Sequence, residues 1–282
     1  MSGGTTGGLA RGMTGVRGFT RRWAVFVCAV LLWELVTRAA GSPFFPPPST
    51  IMAGAGQLWF GGPAAQFGLT DTVLGDVLPS VGRLLLGWLA AAAAGVAVGI
   101  ALGRSRNAMD YLGPMLAFAR SIPPVMLIPF FLVVFGIGAV EQVAAIMFSA
   151  LWPILLNAVD GARSVDQVKI DTARSFRVSR AQWIAMVVLP CALPKIFAGL
   201  RVSLSLCLVL MVLSELVGAT NGIGYQLVYA QRQFAFTPMW AWIVLLGVLG
   251  YGLNTVLLAG ERRVLSWQPG RDTHRTTPKA GG

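Results

Sequence analysis

The chain has 282 residues, of which 55% are hydrophobic and only 12% charged, with a net charge of +11 and a mean hydropathy of +0.69. It is too oily for a water-soluble domain of this size, and that excludes the ordinary soluble enzyme. The basic charge alone would suggest a nucleic-acid binder, but its placement along the chain points to a membrane instead.

Residues 1–22, rich in Gly, Thr and Arg, read as a disordered basic tail. A cleaved signal peptide is the competing reading. It fits less well, because Glu34 and Arg38 follow the apolar run without a small-residue cleavage site. The first span is Trp23–Ala40, with Glu34 and Arg38 at i, i+4 able to pair near its end. Gly41–Pro79 follows as the longest loop. Its PFFPPP run favours extended backbone, and an amphipathic piece around Thr70–Leu78 is expected to lie along the interface.

The second span, Leu84–Gly103, is uncharged and carries small residues at every fourth position (Gly87, Ala91, Gly95, Gly99, Gly103). That stripe lets another helix approach closely, from this chain or from a second copy. The third segment, around Ser121–Val140, should be a broken helix, since Pro114, Pro123, Pro124 and Pro129 each remove a backbone donor and argue against a straight helix from Tyr111 to Gly136. Arg120, just before it, is an interfacial anchor or a gate residue. The fourth span, Gln142–Val159, contains Ser149 and Asn157, which bond between helices or line a pathway.

A polar interval with five cations then runs from Arg163 to Pro190. It reads as two short helices, opened by capping boxes at Ser164/Gln167 and Ser179/Gln182. Val165, Val168, Thr172 or Ala173, and Phe176 fall on one face at helical spacing. The fifth span, Ile196–Gly218, holds Glu215, either a hydrogen-bonded helix-end carboxylate or a pathway residue. The sixth follows Pro238, and residues 268–282 form a second polar, disordered tail.

About six spans each reach the length needed to cross hydrocarbon. With the amino terminus in the cytoplasm, nearly all cations fall inside, among them Arg21, Arg22, Arg104, Arg106, those of the 161–191 loop, Arg262 and Arg263. The positive-inside rule thus places both termini in the cytoplasm. Cys28, Cys191 and Cys207 are unclustered and read as packing residues rather than a disulfide or metal set. The single histidine, His274, sits in the tail, so neither catalytic nor metal-ligating residues are expected. No phosphate-binding G-x-x-x-x-G-K-[ST] loop is present either.

From Asp171 to Pro190 the row Asp171-Thr172-Ala173, Arg177, Val187 and Leu189-Pro190 resembles the EAA signature of bacterial ABC importer permeases, at that signature's spacing. Thr172 departs from it, and Arg177 stands where the signature has Gly, so Arg177 should adopt a positive φ at some cost. Arg120-Ser-Ile-Pro-Pro, Phe135-Gly-Ile-Gly, the row Leu193–Arg201 and Gly222-Ile-Gly-Tyr225 are similar to the nitrate, sulfonate and taurine branch. The resemblance implies an all-α, polytopic, type I permease domain over 23–267 in a bacterial cell membrane. It implies a second permease copy, two ATPase subunits that bind ATP and Mg, and an extracytoplasmic solute-binding protein; this chain itself would hold no cofactor.

Asp171, Thr172, Ala173, Arg174, Phe176 and Arg177 would then form the coupling helix that docks on the ATPase. Arg120, Ser149, Asn157 and Glu215 remain candidates for pathway or gate. The substrate implied is a small anion such as a sulfonate, taurine or nitrate. An ion-coupled transporter or channel is the rival reading. It would be expected to show paired midplane ionisable groups or an inverted repeat, and the sequence displays neither.

Overall fold

In the computed structural model the backbone is described for residues 7–63 and 66–267, and side chains from residue 23. The described residues contain helices and no strand. Five helices are long and apolar enough to cross a membrane. A sixth span results if the pair Arg106–Ser121 and Pro124–Phe135, bent by 82°, counts as one. The break lies where Pro123 and Pro124 remove two backbone donors, as the sequence led one to expect.

The chain divides into two compact units. The first comprises residues to Leu74 together with Gln226–Val244. It contains α1 (Gly7–Ala40) and α2 (Pro48–Phe60), which starts with Pro48 in the first turn, where a missing N–H is harmless. Ile51, Ala55 and Ala241 are buried there, with Trp33, Trp59 and Trp240 packed around them. The Trp33 and Trp240 rings lie 5.4 Å apart. Glu34 accepts hydrogen bonds from Arg38 Nε at 2.6 Å and from the Ser49 hydroxyl at 2.6 Å, which ties α1 to the start of α2.

The backbone of residues 7–22, expected to be disordered, continues α1 as helix. Once the apolar span has nucleated a helix, each added residue gains one bond, and Arg, Leu, Ala and Met favour extension. Residues 1–6 and the tail 268–282 lie outside the described residues.

The second unit, Gly75–Tyr225 with residues from Leu245 onward, is built on three helices. These are α3 (Leu78–Gly103), α6 (Ala139–Arg163) and α9 (Leu189–Gly218), and small residues bring their backbones together. A methyl placed on Gly99 would come within 2.6 Å of both the Leu155 carbonyl and Ala158 Cβ. One on Gly103 would meet the Val159 carbonyl at 2.7 Å, and one on Gly87 would meet Ile146 at 2.8 Å. The stripe on the second span therefore packs within the chain, against α6. Gly161 of α6 does the same against Ala192 of α9, and Gly199 of α9 against the Pro153 carbonyl. Trp88 Nε1 donates to Ser203 Oγ at 2.9 Å, linking α3 to α9.

Around this trio lie α4 (Arg106–Ser121), capped by Ser105, and α5 (Ile128–Phe135). The hairpin helix α7 (Gln167–Ser175) and the short α8 (Arg180–Trp183) follow α6. α10 (Ile223–Arg232) and α11 (Phe236–Val264) complete the chain.

Two expected boundaries move. The piece around Thr70–Leu78 is no separate interfacial helix, because a π-helical turn at Val73–Val77 joins it to α3 as one apolar stretch, Val73–Gly103. Likewise α8 continues through a π-turn at Ile184–Val188 into α9, so the fifth helix starts at Arg180 rather than at Ile196. In both cases a single inserted residue rotates the apolar face without stopping the helix.

Because the Gly99 neighbours include backbone, they cannot step aside. Gly99→Val is expected to cost at least about 2 kcal/mol of stability, read as thermal unfolding of the purified chain in detergent. Gly252→Ala, with nothing within 4 Å of the added methyl, should be neutral or slightly stabilising, by up to about 1 kcal/mol.

Candidate functional site

Two polar constructions occupy opposite ends of the α3–α6–α9 trio. At one end sits the α7–α8 hairpin. Val165 is buried with Ile100, Ala158, Ala162, Val188, Ala192 and Ile196, while Ile170 and Trp183 pack against them. Arg104, at the end of α3, places its guanidinium 5.6 Å from the centre of the Trp183 ring, a cation–π contact that holds α8. Lys195 Nζ donates to the Asp160 carbonyl at 3.0 Å.

The hairpin corner is a Schellman motif. The Arg177 amide donates to the Arg174 carbonyl, and the Val178 amide to the Ala173 carbonyl, both at 3.0 Å. Arg177 takes φ +50°, the left-handed conformation expected of the position where the signature has Gly. Ser179 and Gln182 form the reciprocal capping box expected of them.

The other proposed box does not form. α6 runs on to Arg163, so Ser164 ends that helix and its hydroxyl donates to the Gly161 carbonyl at 2.8 Å. Asp166 caps α7 instead, accepting from the Val168 amide at 3.2 Å. With α7 starting at Gln167, Val165 lies outside it and turns inward, so the expected single apolar face is split. Val168 (68% exposed) and Phe176 (78% exposed) point away from the core. Asp171 pairs with Arg174 at 3.7 Å on the exposed surface. Thr172, Ala173, Phe176, Met186 and Pro190 line an apolar groove of about 440 Å³ beside this corner.

At the other end is a buried polar node. Glu215 of α9 is 1% exposed and pairs with Arg83 of α3, Nη2 to Oε1 at 3.1 Å. Glu215 also accepts from Ser80 Oγ at 2.6 Å and from the Gly224 amide at 2.8 Å. Arg83 Nε donates to the Pro79 carbonyl at 3.1 Å and Nη1 to Gln142 Oε1 on α6. Asp76 accepts from the Gly222 amide at 2.8 Å, and Ser80 Oγ from the Ile223 amide at 3.0 Å. Gly222 sits at φ +124°, and a methyl there would meet the Glu215 carboxylate at 2.5 Å. The node therefore welds the turn Asn221–Gly224 to α3 and α9.

Of the residues singled out from the sequence as pathway or gate, no two are joined by a hydrogen bond or ion pair. Arg120 is exposed in the last turn of α4. Asn157 donates to the Pro153 carbonyl of its own helix at 2.8 Å. Ser149 is 2% exposed and its hydroxyl has no hydrogen-bond partner among the described residues. Glu215 is a hydrogen-bonded carboxylate in the last turn of α9, and its partners come from α3 and from the Gly224 backbone. The sequence reading missed this pairing. The available signal was Asp76, Ser80 and Arg83 at i, i+4 and i+7, one polar helix face leading into an uncharged span. It also missed Glu141, fully buried in the first turn of α6, with neither carboxylate oxygen hydrogen-bonded.

A bundle of apolar helices with a proline-broken segment and an anchored surface hairpin defines a polytopic α-helical membrane protein. Residues 86–266 match the binding-protein-dependent transport system inner membrane component family, and the chain belongs to that family. It is 34% identical over 244 residues to the taurine transport system permease protein TauC of Escherichia coli (strain K12), covering 85% of this chain and 87% of that one. It is 30% identical over 242 residues to the putative aliphatic sulfonates transport permease protein SsuC of Bacillus subtilis (strain 168), covering 85% and 84%. Among solved structures, the inward-facing MetNI methionine ABC transporter superposes with a TM-score of 0.58, over 68% of this chain and 95% of that chain. At 23% identity that likeness is one of fold. The chain is a multi-pass permease component of an ABC importer in the bacterial plasma membrane.

Removing one partner of a buried ion pair strands the other, so Arg83→Met or Glu215→Leu alone is expected to cost about 3–5 kcal/mol. The double variant should cost less than the sum by roughly 2 kcal/mol, measurable as a double-mutant cycle of unfolding in detergent. Arg177→Gly should relieve the left-handed strain and stabilise the corner by about 0.5–1 kcal/mol, seen as slower hydrogen exchange at the Val178 amide.

Proposed function

We propose that this chain forms the membrane passage of an ATP-driven importer of a small anion, and that the Asp171–Arg177 corner is where a separate ATPase pushes on it. The observation that carries the reading is the outward face of that corner. Phe176 and Val168 are exposed beside an apolar groove, yet the backbone beneath them is pinned by a Schellman motif and by Val165 in the core. An unpartnered aromatic on a rigid, cation-rich mount suits docking into a pocket on another protein, where burial of the ring contributes about 1.5–3 kcal/mol.

In this reading both termini and the hairpin face the cytoplasm. Two ATPase subunits bind ATP and Mg, a second copy of the permease completes the passage, and an extracytoplasmic binding protein delivers the solute. The preference for taurine or another sulfonate over other solutes rests on relatives whose names specify taurine and aliphatic sulfonates. The buried Arg83–Glu215 pair is the kind of feature an ion-coupled carrier would also have. Here, however, each group is committed to the other and to neighbouring backbone or side chains, which suits an anchor better than a site that loads and unloads ions.

Phe176→Asp is expected to lower recovery of the co-expressed ATPase with the purified permease at least tenfold, a loss of roughly 1.4 kcal/mol or more. Trp267→Asp, an exposed change beyond the end of α11, serves as the control. Unchanged recovery with a folded Phe176→Asp chain would remove the hairpin as the docking site.

A further inference from the structure

Next to the polar node lies a cavity of about 400 Å³ whose wall includes Arg83, Gln142, Thr220, Asn221 and the start of α6 at Gly138 and Ala139. Its volume admits a sulfonate-sized group with several waters, each of which takes about 30 Å³. No carboxylate lines it. Asp76 and Glu215 are turned into the node, where Ser80, Arg83 and the amides of Gly222 and Gly224 satisfy them. Glu141, in the first turn of α6, does not line it either.

The wall is rich in donors that lack acceptors. Gln142 is 1% exposed; its Oε1 accepts from Arg83, which leaves Nε2 as a buried amide with no partner. Of the two N–H groups on Arg83 Nη1, one is engaged by Gln142, and the guanidinium fork supplies the other. The amide of Ala139, which lines the wall, is a first-turn amide of a 25-residue helix and has no acceptor inside it. The positive end of that helix's dipole is at this wall.

We propose that this cavity is an oxyanion subsite, in which the Ala139 amide at the start of α6, Gln142 Nε2 and the remaining Nη1 N–H of Arg83 receive a sulfonate-, nitrate- or sulfate-like group. Backbone amides at a helix start together with side-chain donors form the usual cradle for such groups. Arg83 is held rigid by Glu215 and Pro79, so it contributes direction more than net charge. The subsite rests on the anion-importer reading for its role in transport, but its binding chemistry can be tested without any transport.

Thr220 is exposed on the cavity wall. In the full chain, Thr220→Cys is labelled with the anionic 2-sulfonatoethyl methanethiosulfonate and with the cationic 2-(trimethylammonium)ethyl reagent. Each rate is divided by the rate on a small free thiol, and labelling of the parent chain's native cysteines is subtracted. The anionic reagent is expected to be favoured roughly tenfold, as for a charge-focusing cleft. Sodium sulfate should slow it relative to sodium chloride at equal ionic strength.

Adding Gln142→Leu should shrink both effects severalfold, and circular dichroism establishes that the variant is folded. Equal or cation-favoured labelling, or labelling indifferent to sulfate, overturns the subsite. Protection seen only in vesicles containing phosphatidylglycerol, and not with soluble sulfate, assigns the cavity to a lipid headgroup and overturns it too. Loss of anion import with the labelling preference intact would count against the importer reading and leave the subsite standing.

Discussion

Three helices touch backbone to backbone, and the rest of the larger unit is hung from that contact. In hydrocarbon, association gains little from burying apolar side chains, since lipid is as apolar as leucine. What remains is close van der Waals fit and a few polar bonds. Gly87, Gly95, Gly99 and Gly103 on α3, Gly161 on α6 and Gly199 on α9 provide the fit, each facing backbone or Cβ atoms that a methyl would strike. The Trp88–Ser203 bond and the Arg83–Gln142–Glu215 node provide the polar closure.

The two ends of this trio are finished differently, and the difference follows from what each end must satisfy. At the node end, the ion pair is inside the protein and both its members are matched: Glu215 by a cation, a hydroxyl and an amide, Arg83 by a carboxylate, an amide oxygen and a carbonyl. At the hairpin end the charges are exposed, and order comes from backbone instead. A Schellman corner, a capping box and buried Val165 hold a helical turn whose apolar Val168 and Phe176 side chains are exposed. A tightly packed unit of this kind moves as a body rather than deforming continuously.

Much of this could be read from residues alone. The uncharged runs and the prolines at 123, 124 and 129 located the spans and the break. The four-residue spacing of small residues on α3 announced a close neighbour, and Ser179/Gln182 and the position of Arg177 foretold the hairpin's turn. The misplaced details share a cause. Ser164 was misassigned because local pattern cannot say how far the preceding helix persists, and Val165 turned inward once α6 extended to Arg163. The π-turns at Val73–Val77 and Ile184–Val188 have no signature in hydrophobic periodicity, so two helices proved longer than expected.

Sequence by itself determined the class: a chain this apolar, with cations confined to a few short intervals and an importer-type motif in one of them, has few other ways to satisfy its backbone than as a membrane helix bundle. Tertiary structure alone decided the partners. Glu215 is 132 residues from Arg83 along the chain, and Gln142 lies between them, so no local rule could join them. Long-range pairing depends on which helix faces which, and that is settled by the fit of small residues across the whole trio rather than by any one segment.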